Sequence, residues 1–377
     1  MPKVSIVMPV YNVSQYLRAA LDSATRQTLR DIEIICINDG STDNSLDIVK
    51  EYAAKDKRII VIDKPNGGYG HTMNVGIDAA TGEYLGILET DDFISLTMFE
   101  DLYKIAVEND LDVARGDFYK FTHDEKNNMN LEYISFCHEP IWYNKIFNPS
   151  IEVDSSKVLI NVWNGIYRIS LLRKNNIRFH ESPGASFQDN GFFWQVQIYA
   201  QRAMYINRPY YYYRCDNPNS SVKDPAKIWS MRREYDYIRD ILVKDADIWH
   251  RYKNYFWLRR YDNYYFTEKL IAPEFKLEFI LYISKEYKNA LEAEELSPKL
   301  FSESKWSRVQ RIMDNPEDYI QKRYFNDIVG QKTSTLNQKS EDLSKETHAK
   351  KMLKSGMQQM KKADIRDFFG KLKQKMI

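Results

Sequence analysis

The first 120 residues alternate between two hydrophobic periodicities. Short apolar runs, rich in Val and Ile, have the length of buried strands, and the segments between them repeat apolar residues every three or four positions, as helices do. The runs of strand length are residues 4–10, 33–37, 58–62, 84–88 and 112–118. The segments of helical spacing are residues 16–24, 45–55, 72–80 and 96–108. This alternation predicts an α/β fold with a mostly parallel sheet covered by helices on both faces.

The pattern changes after residue 120. Residues 121–148 are polar and aromatic without a clear period, which predicts an irregular stretch, and helical spacing returns over 158–177. Residues 229–324 have strong helical spacing, with aromatic residues threaded through charged ones. A polar, Ser/Lys-rich segment over 333–346 predicts a linker. The last segment, 349–377, is basic and amphipathic, which predicts a tail helix.

These changes predict three parts of the chain. We expect an α/β domain over residues 1–225, a helical region over 226–330, and a linker with a tail helix over 331–377. The α/β domain itself divides into two halves, residues 1–120 and 121–225.

Composition narrows the class of protein. The chain has 377 residues, of which 43% are hydrophobic and 28% charged, a balance typical of a folded protein with a large core. Lys and Arg number 54 against 53 Asp and Glu, so the formal net charge of +1 argues against a nucleic-acid partner. Cys36, Cys137 and Cys215 lie too far apart in the sequence for a disulfide framework or a zinc cluster.

The ends of the chain bear on its location. The first residues read as a strand rather than a signal peptide, and no later segment has the length and hydrophobicity of a membrane span, so we expect a cytoplasmic protein. The basic, amphipathic tail favours docking on the anionic inner face of the cell membrane. The alternative is a helix that packs on its own chain or pairs between protomers of an oligomer.

Three polar loops follow predicted strands. They are residues 9–12 (PVYN), 38–43 (NDGSTD) and 89–92 (ETDD). Because ligands of parallel sheets bind at the carboxyl ends of strands, a carboxylate after the second strand can accept hydrogen bonds from a base or ribose. Paired carboxylates after the fourth strand suit a hard divalent cation that neutralises a diphosphate. Each loop alone is also ordinary turn or helix-cap chemistry; their joint occurrence favours a binding site.

Together with the segment 66–76 (NGG…NVG), these loops resemble the family-2 glycosyltransferases, inverting enzymes with the GT-A fold. The resemblance is dense over the first 120 residues and thinner as far as residue 222. It implies that residues 1–120 are the nucleotide-binding half and residues 121–225 the acceptor half of the α/β domain. It implies a GT-A type, mostly parallel sheet sandwiched by helices and followed by a helical C-terminal region. It also implies transfer of a sugar, of the hexosyl type, from a nucleotide-diphosphate donor such as a UDP sugar to the hydroxyl of a carbohydrate or glycolipid acceptor. Mn²⁺ or Mg²⁺ would be the cofactor, and synthesis of a surface polysaccharide or oligosaccharide the setting.

The resemblance also implies roles for individual residues. The expected metal ligands are Asp91 and Asp92, although Glu89 stands where the family frequently has Asp. Met73 stands where the family often has Arg, so His71 or a later basic residue is expected to supply the missing positive charge. The expected contacts to the nucleotide sugar are Pro9, Tyr11, Asn12, Asp39, Gly68, Asn74, Thr90, Asp91, Arg214 and Ser221.

The segment 187–193 (FQDNGFF) resembles the catalytic Glu-Asp segment of the family, with Gln188 in place of Glu. Asp189 would then be the general base that accepts the proton of the acceptor hydroxyl. A helix cap near Asn190 is the alternative for this carboxylate. His180 is the other histidine, besides His71, that we expect near the site.

Two further segments leave alternatives open. Arg214 follows four tyrosines and can contact the diphosphate; otherwise the tyrosines form an edge strand and Arg214 pairs with a surface acid. Trp163 lies where the family often has Trp-Asn-Lys, but Gly165 replaces the basic residue, and Trp163 is equally a core candidate.

Other enzyme classes fit less well. A nucleotidyltransferase would need a Gly-rich, basic loop after the first strand, and a dinucleotide-dependent oxidoreductase would need G-x-G-x-x-G there; residues 9–12 supply neither. The family's processive synthases carry Gln-x-x-Arg-Trp and membrane-spanning helices, both missing from this sequence, so single-sugar transfer is expected. A non-catalytic sugar-binding or scaffold protein stays as an alternative; it would be indifferent to Asp189→Asn.

Overall fold

The computed structural model describes residues 1–184, 187–218 and 228–324. The predicted donor contact Ser221 and the predicted linker and tail helix over 331–377 lie outside the described residues.

The first 110 residues form the alternating elements that the periodicity predicts, with bounds shifted by a few residues. The strands are β1 (Val4–Val10), β2 (Ile32–Asp39), β3 (Ile59–Lys64), β4 (Tyr84–Ile87) and the short β5 (Phe93–Ile94). The helices are α1 (Ser14–Thr25), α2 (Ser45–Ala53), α3 (Tyr69–Ala79) and α4 (Met98–Glu108). Every residue of β2 is buried, because helices cover both faces of the sheet.

The second part of the chain differs from its prediction in two places. Its elements are β6 (Val113–His123), β7 (Met129–Ile134), β8 (Ile146–Phe147), β9 (Gly165–Arg168), α5 (Ile169–Lys174), α6 (Gln188–Tyr199) and β10 (Ala203–Arg214). The prediction of an irregular stretch over 121–148 is wrong in part, because β6 continues to His123 and pairs with β7 in an antiparallel hairpin. Nearly all of β7 is exposed, so its sequence lacks the apolar alternation of a half-buried strand.

The predicted helix over 158–177 is also wrong in part, since β9 occupies its centre. A Cβ atom at Gly165 would lie 2.5 Å from the carbonyl oxygen of Ala114, so the close pairing of β9 with β6 requires glycine here. Gly165, which replaces the Lys of the Trp-Asn-Lys motif, therefore has a packing role.

The strands form one sheet in the order β3-β2-β1-β4-β9-β6-β10-β5, with β7 paired to β6 and β8 to β10. The strands β3, β2, β1 and β4 are mutually parallel, and β9 runs antiparallel between β4 and β6. Since β10 is parallel to β6, its carboxyl end lies at the same edge of the sheet as those of β1, β2 and β4. The predicted α/β fold class is confirmed, and the loops singled out in the sequence open at this one edge.

The C-terminal region is helical, as predicted. Its helices are α7 (Ser230–Leu242), α8 (Ala246–Leu270), α9 (Pro273–Glu292) and α10 (Glu303–Asp314). The chain divides into two compact units within α8, one up to Tyr264 and one from Tyr265 onward. In the second unit, the buried Glu268 accepts hydrogen bonds from Tyr324 and from Arg323 at 2.7 and 2.8 Å. None of the helices in the described ranges combines the length and the apolar character that crossing a bilayer requires.

Candidate active site

Asn12 connects the loops that follow β1 and β2. It has a positive φ of 51°, and its Oδ1 accepts hydrogen bonds from the backbone N–H groups of Thr42 at 2.8 Å and Asp43 at 3.3 Å. Its own N–H donates to Ser41 Oγ at 3.1 Å. Tyr11, next to it, is left 51% exposed. The predicted contact Asn12 thus builds the loop, and Tyr11 presents a ring to solvent.

Asp39 ends β2 as a buried carboxylate with several donors. Gly67 N–H and Gly68 N–H donate to its two oxygens at 2.8 and 3.1 Å, and Lys64 Nζ forms an ion pair with it. Gly68 has a positive φ of 83°, which favours glycine. Asp39 therefore fixes the loop before α3, with Lys64 as its cation.

Asn74 fastens the segment before α6 onto α3. Its Nδ2 donates to the carbonyl of Phe179 at 3.0 Å and to Glu181 Oε1 at 2.8 Å, while Oδ1 accepts the N–H of Phe179 at 2.9 Å. His71 Nδ1 lies 3.3 Å from Glu181 Oε2. Met73, where the family often has Arg, is completely buried, so a charge there would be costly.

The end of β4 is tied to its neighbours by Thr90 and Asp92. Thr90 Oγ1 donates to the carbonyl of Pro9 at 2.7 Å. Asp92 is 1% exposed, and its two oxygens accept hydrogen bonds from Tyr211 OH at 2.8 Å and from the N–H of Arg214 at 2.7 Å. Burial, followed by the charge of Asp91, raises the pKa of Asp92 well above its usual range. Asp92 therefore joins the β4 loop to β10.

Arg214, at the end of β10, lies beside Asp91. Its Nε donates to the carbonyl of Asp91 at 2.8 Å, and its guanidinium lies 3.1 Å from Asp216 and packs over the ring of Tyr16. The pairing with an acid thus matches the alternative raised from the sequence. The edge-strand part of that alternative is wrong, because β10 lies between β6 and β5.

Two carboxylates from distant segments interact electrostatically near the end of β4. Glu89 accepts a hydrogen bond from Tyr69 OH at 2.6 Å, and burial, with the charges of Asp91 and Asp189, raises its pKa to about 8. Asp189 lies in the first turn of α6, where Asn190 N–H donates to it at 3.1 Å. Burial, followed by the charge of Glu234, raises the pKa of Asp189 to about 7.

The surroundings of Asp189 include groups from several elements. Burial is the main cause of the raised pKa values of Tyr69 on α3, Tyr167 on β9 and Tyr213 on β10, and the charge of Asp189 is a smaller cause in each. Trp163 stacks on Tyr213 and Tyr211 with ring centroids 5.4 and 4.1 Å apart. The half-buried carboxylate therefore has aromatic side chains among its neighbours.

Whether this site can hold a divalent cation depends on the ligands that the phosphates of a nucleotide sugar would add to those of the protein. Within residues 1–184, 187–218 and 228–324, no group of three or more His, Cys, Asp or Glu side chains is arranged to hold a metal. Mg²⁺ and similar ions, however, are frequently held by one or two carboxylates together with substrate phosphates. Asp91, which accepts from Asn217 Nδ2 at 2.9 Å, fits this arrangement better than Asp92, whose oxygens already serve β10.

Sequence reasoning missed three residues of this site. Lys64 could have been found, because it is the polar residue that ends the apolar run of β3 beside β2. Tyr69 directly follows the two glycines that were singled out. Glu234 gave no signal, since it lies in a charged helix far along the chain.

Comparisons with known proteins find a family model, relatives and solved structures that are similar to this chain. The family model "Glycosyl transferase family 2" matches residues 5–174. The chain is 36% identical to the uncharacterized glycosyltransferase EpsJ of Bacillus subtilis (strain 168) over 60% of its own length and 64% of EpsJ. It is 31% identical to the glycosyltransferase GlyG of Streptococcus pneumoniae over 63% of its own length and 77% of GlyG. The chain thus spans less than two thirds of EpsJ.

Among solved structures, residues 1–349 of S. aureus TarS are similar, with a TM-score of 0.65 and 21% identity, over 87% of this chain and 92% of that one. At this identity the similarity concerns the fold.

Proposed function

Because the chain belongs to glycosyl transferase family 2, we propose that it transfers a sugar from a nucleotide-diphosphate donor to a carbohydrate or glycolipid hydroxyl, with inversion at the anomeric carbon. The observation that carries this proposal is that Asp189 lies close enough to Glu89 to raise its pKa, at the end of β4 where Asp91 and Asp92 follow. The setting we propose is the synthesis of a surface polysaccharide or oligosaccharide.

Asp189 is the proposed general base. A carboxyl group with a pKa of about 7 is partly ionised near neutral pH and is well matched to accepting a proton from a hydroxyl. As the proton moves to Asp189, the acceptor oxygen forms its bond to the anomeric carbon. The bond from that carbon to the diphosphate oxygen breaks, and the nucleoside diphosphate leaves. One displacement of this kind inverts the configuration.

A UDP sugar is the proposed donor. TarS, which shares the fold, has been solved in complex with UDP-GlcNAc. In this chain, the exposed ring of Tyr11 is available to stack on a base, and Asp39, Gly68 and Thr90 shape the loops around it. A divalent cation held by Asp91 and the donor phosphates would neutralise charge on the departing diphosphate.

A panel of nucleotide sugars tests the donor and the metal together. Thermal shift and release of nucleoside diphosphate are measured with Mn²⁺, with Mg²⁺ and with a chelator. We expect a UDP sugar to raise the melting temperature and to be hydrolysed slowly without acceptor. Both the rise in melting temperature and the rate of hydrolysis should be larger with metal than with chelator. Asp91→Asn should remove the metal-dependent part of both signals.

The matched control is Asp31→Asn. Asp31 is exposed at the amino end of β2, the opposite edge of the sheet, so this variant should respond as the unaltered protein does. If no nucleotide sugar shifts the melting temperature or releases nucleotide, the transferase proposal is wrong and the non-catalytic alternative is favoured.

A further inference from the structure

We propose that Glu234 of α7 is a positioning residue for Asp189: it fixes the first turn of α6, on which Asp189 lies, and supplies the negative charge behind it. This inference rests on the proposed function, because it gives Asp189 the role of base. Glu234 lies beyond residue 174, where the match to the family model ends.

The first contact is with the backbone of α6. Glu234 Oε1 accepts the N–H of Gly191 at 2.8 Å. The first four N–H groups of a helix have no partner within the helix, and Phe187, which precedes α6, provides no side-chain cap. Glu234 thus caps α6 from a different helix. Because Asp189 lies in this turn, its carboxylate is placed by the same contact.

Gly191 is what allows this approach. A Cβ atom at this position would lie 2.5 Å from Glu234 Oε1 and 2.9 Å from the ring of Tyr237. The absence of a side chain therefore lets the carboxylate reach the backbone of the helix.

The second contact joins α7 to the segment that leads into α6. His180 Nδ1 lies 2.9 Å from Glu234 Oε2, and the ring of His180 stacks on Tyr237, one turn further along α7, at 4.2 Å. The neighbouring Phe179 and Glu181 are held on α3 by Asn74. One carboxylate therefore links the catalytic turn to a segment anchored elsewhere, which is expected to keep Asp189 in a single position.

The third element of the argument is charge. Glu234 is 1% exposed, so its charge reaches Asp189 with little screening by solvent. After burial, this charge is the main cause of the raised pKa of Asp189. The other titratable groups facing Asp189 are Tyr69, Glu89, Tyr167 and Tyr213. The tyrosines are neutral near pH 7, and so is most of Glu89, whose pKa is raised to about 8. Burial raises the pKa of Glu234 as well, but the contacts of its oxygens with His180 and with the N–H of Gly191 favour its ionised form. Glu234 is therefore the negative charge that we assign to the back of the Asp189 carboxylate.

The test uses Glu234→Gln in the full chain. Glutamine keeps an oxygen for Gly191 and a polar group for His180 but removes the charge. The acid limb of kcat/KM against pH reports the base of the free enzyme. We expect its midpoint to move to lower pH in this variant, with the melting temperature nearly unchanged.

The matched control is Glu33→Gln. Glu33 is also buried and accepts a backbone N–H, that of Thr81 at 2.6 Å, but it lies near the amino end of β2. This variant should leave the acid limb where it is. A second variant, Glu234→Ala, removes both contacts and should lower kcat by ~10–100-fold, because a misplaced base costs this much; circular dichroism checks its fold.

The outcomes separate this inference from the proposed function. If Asp189→Asn abolishes transfer while Glu234→Gln keeps the acid limb of the unaltered protein, Asp189 is the base and the role given to Glu234 is wrong. If Asp189→Asn retains transfer, the base assignment itself fails, and the role of Glu234 fails with it.

Discussion

Asp39 and Asp189 lie at the same edge of the sheet in opposite environments. Asp39 is matched by the ammonium group of Lys64 and by two backbone N–H groups. Asp189 accepts hydrogen bonds from Asn190 and has the carboxylate of Glu234 as its charged neighbour. A carboxylate surrounded by donors thus stabilises a loop, whereas a carboxylate near other carboxylates has a raised pKa and is suited to accept a proton.

The largest expected effect is that of Asp189→Asn on the transfer rate. Since asparagine cannot accept the proton, we expect the transfer rate to fall by about 10²–10⁴-fold. Donor binding, followed by thermal shift, should persist because Asp189 serves the acceptor. A variant that transfers sugar at the original rate would show that this carboxylate is a helix cap and not a base.

Asp39→Asn should instead lower the stability of the protein. It leaves Lys64 without its anion in a largely buried position, and breaking such a pair costs about 3–5 kcal/mol of the free energy of unfolding. Urea unfolding measures this loss. Asp189→Asn, measured alongside, should have no such cost. Equal losses of stability in the two variants would show that the two carboxylates do not differ in this way.

The pH dependence of stability tests the environment of Asp189. With a folded-state pKa of about 7, Asp189 holds its proton where the unfolded chain has released it. The free energy of unfolding should therefore decrease as pH rises from about 4 to 7, by up to about 1.4 kcal/mol per pH unit from this group. Above pH 7 the stabilisation that protonated Asp189 gives at low pH is lost, and this group adds no further slope.

Asp189→Asn should flatten that part of the curve. Urea unfolding at pH 5, 6, 7 and 8 measures the slope of the free energy of unfolding in the variant and in the unaltered protein. Glu89, whose pKa is raised to about 8, contributes a slope of the same sign in both proteins, so the difference between them reports Asp189. Equal slopes in the two proteins would mean that Asp189 is ionised over the whole range.

The smallest expected effect is that of Tyr11→Ala, next to the well-bonded Asn12. With half of its surface exposed, Tyr11 should contribute less than about 0.5 kcal/mol to stability. Loss of base stacking, worth about 1–3 kcal/mol, should raise the KM for the donor at least about fivefold. An unchanged KM would show that the base is not stacked on this ring.

Much of the fold was predictable because its signals are local. The apolar runs of β1 to β4 and the polar loops after them consist of consecutive residues. The sheet edge at which Asp39 and Asp91 lie is therefore predictable from the periodicity of the sequence. The exposed β7 and the short β9 lack that signal. The partners of the key carboxylates, Lys64 and Glu234, are brought together only by tertiary packing, which spacing along the chain does not reveal.

The backbone contact between the start of α3 and the segment before α6 restricts which substitutions its glycine positions can tolerate. A Cβ atom at Gly70 would lie 2.1 Å from the carbonyl oxygen of His180, and one at Gly68 would lie 3.1 Å from that of Gly184. Deep mutational scanning under selection for product should therefore deplete even alanine at these codons. Positions on the outer face of β7 should accept most residues and offer the natural place for diversification.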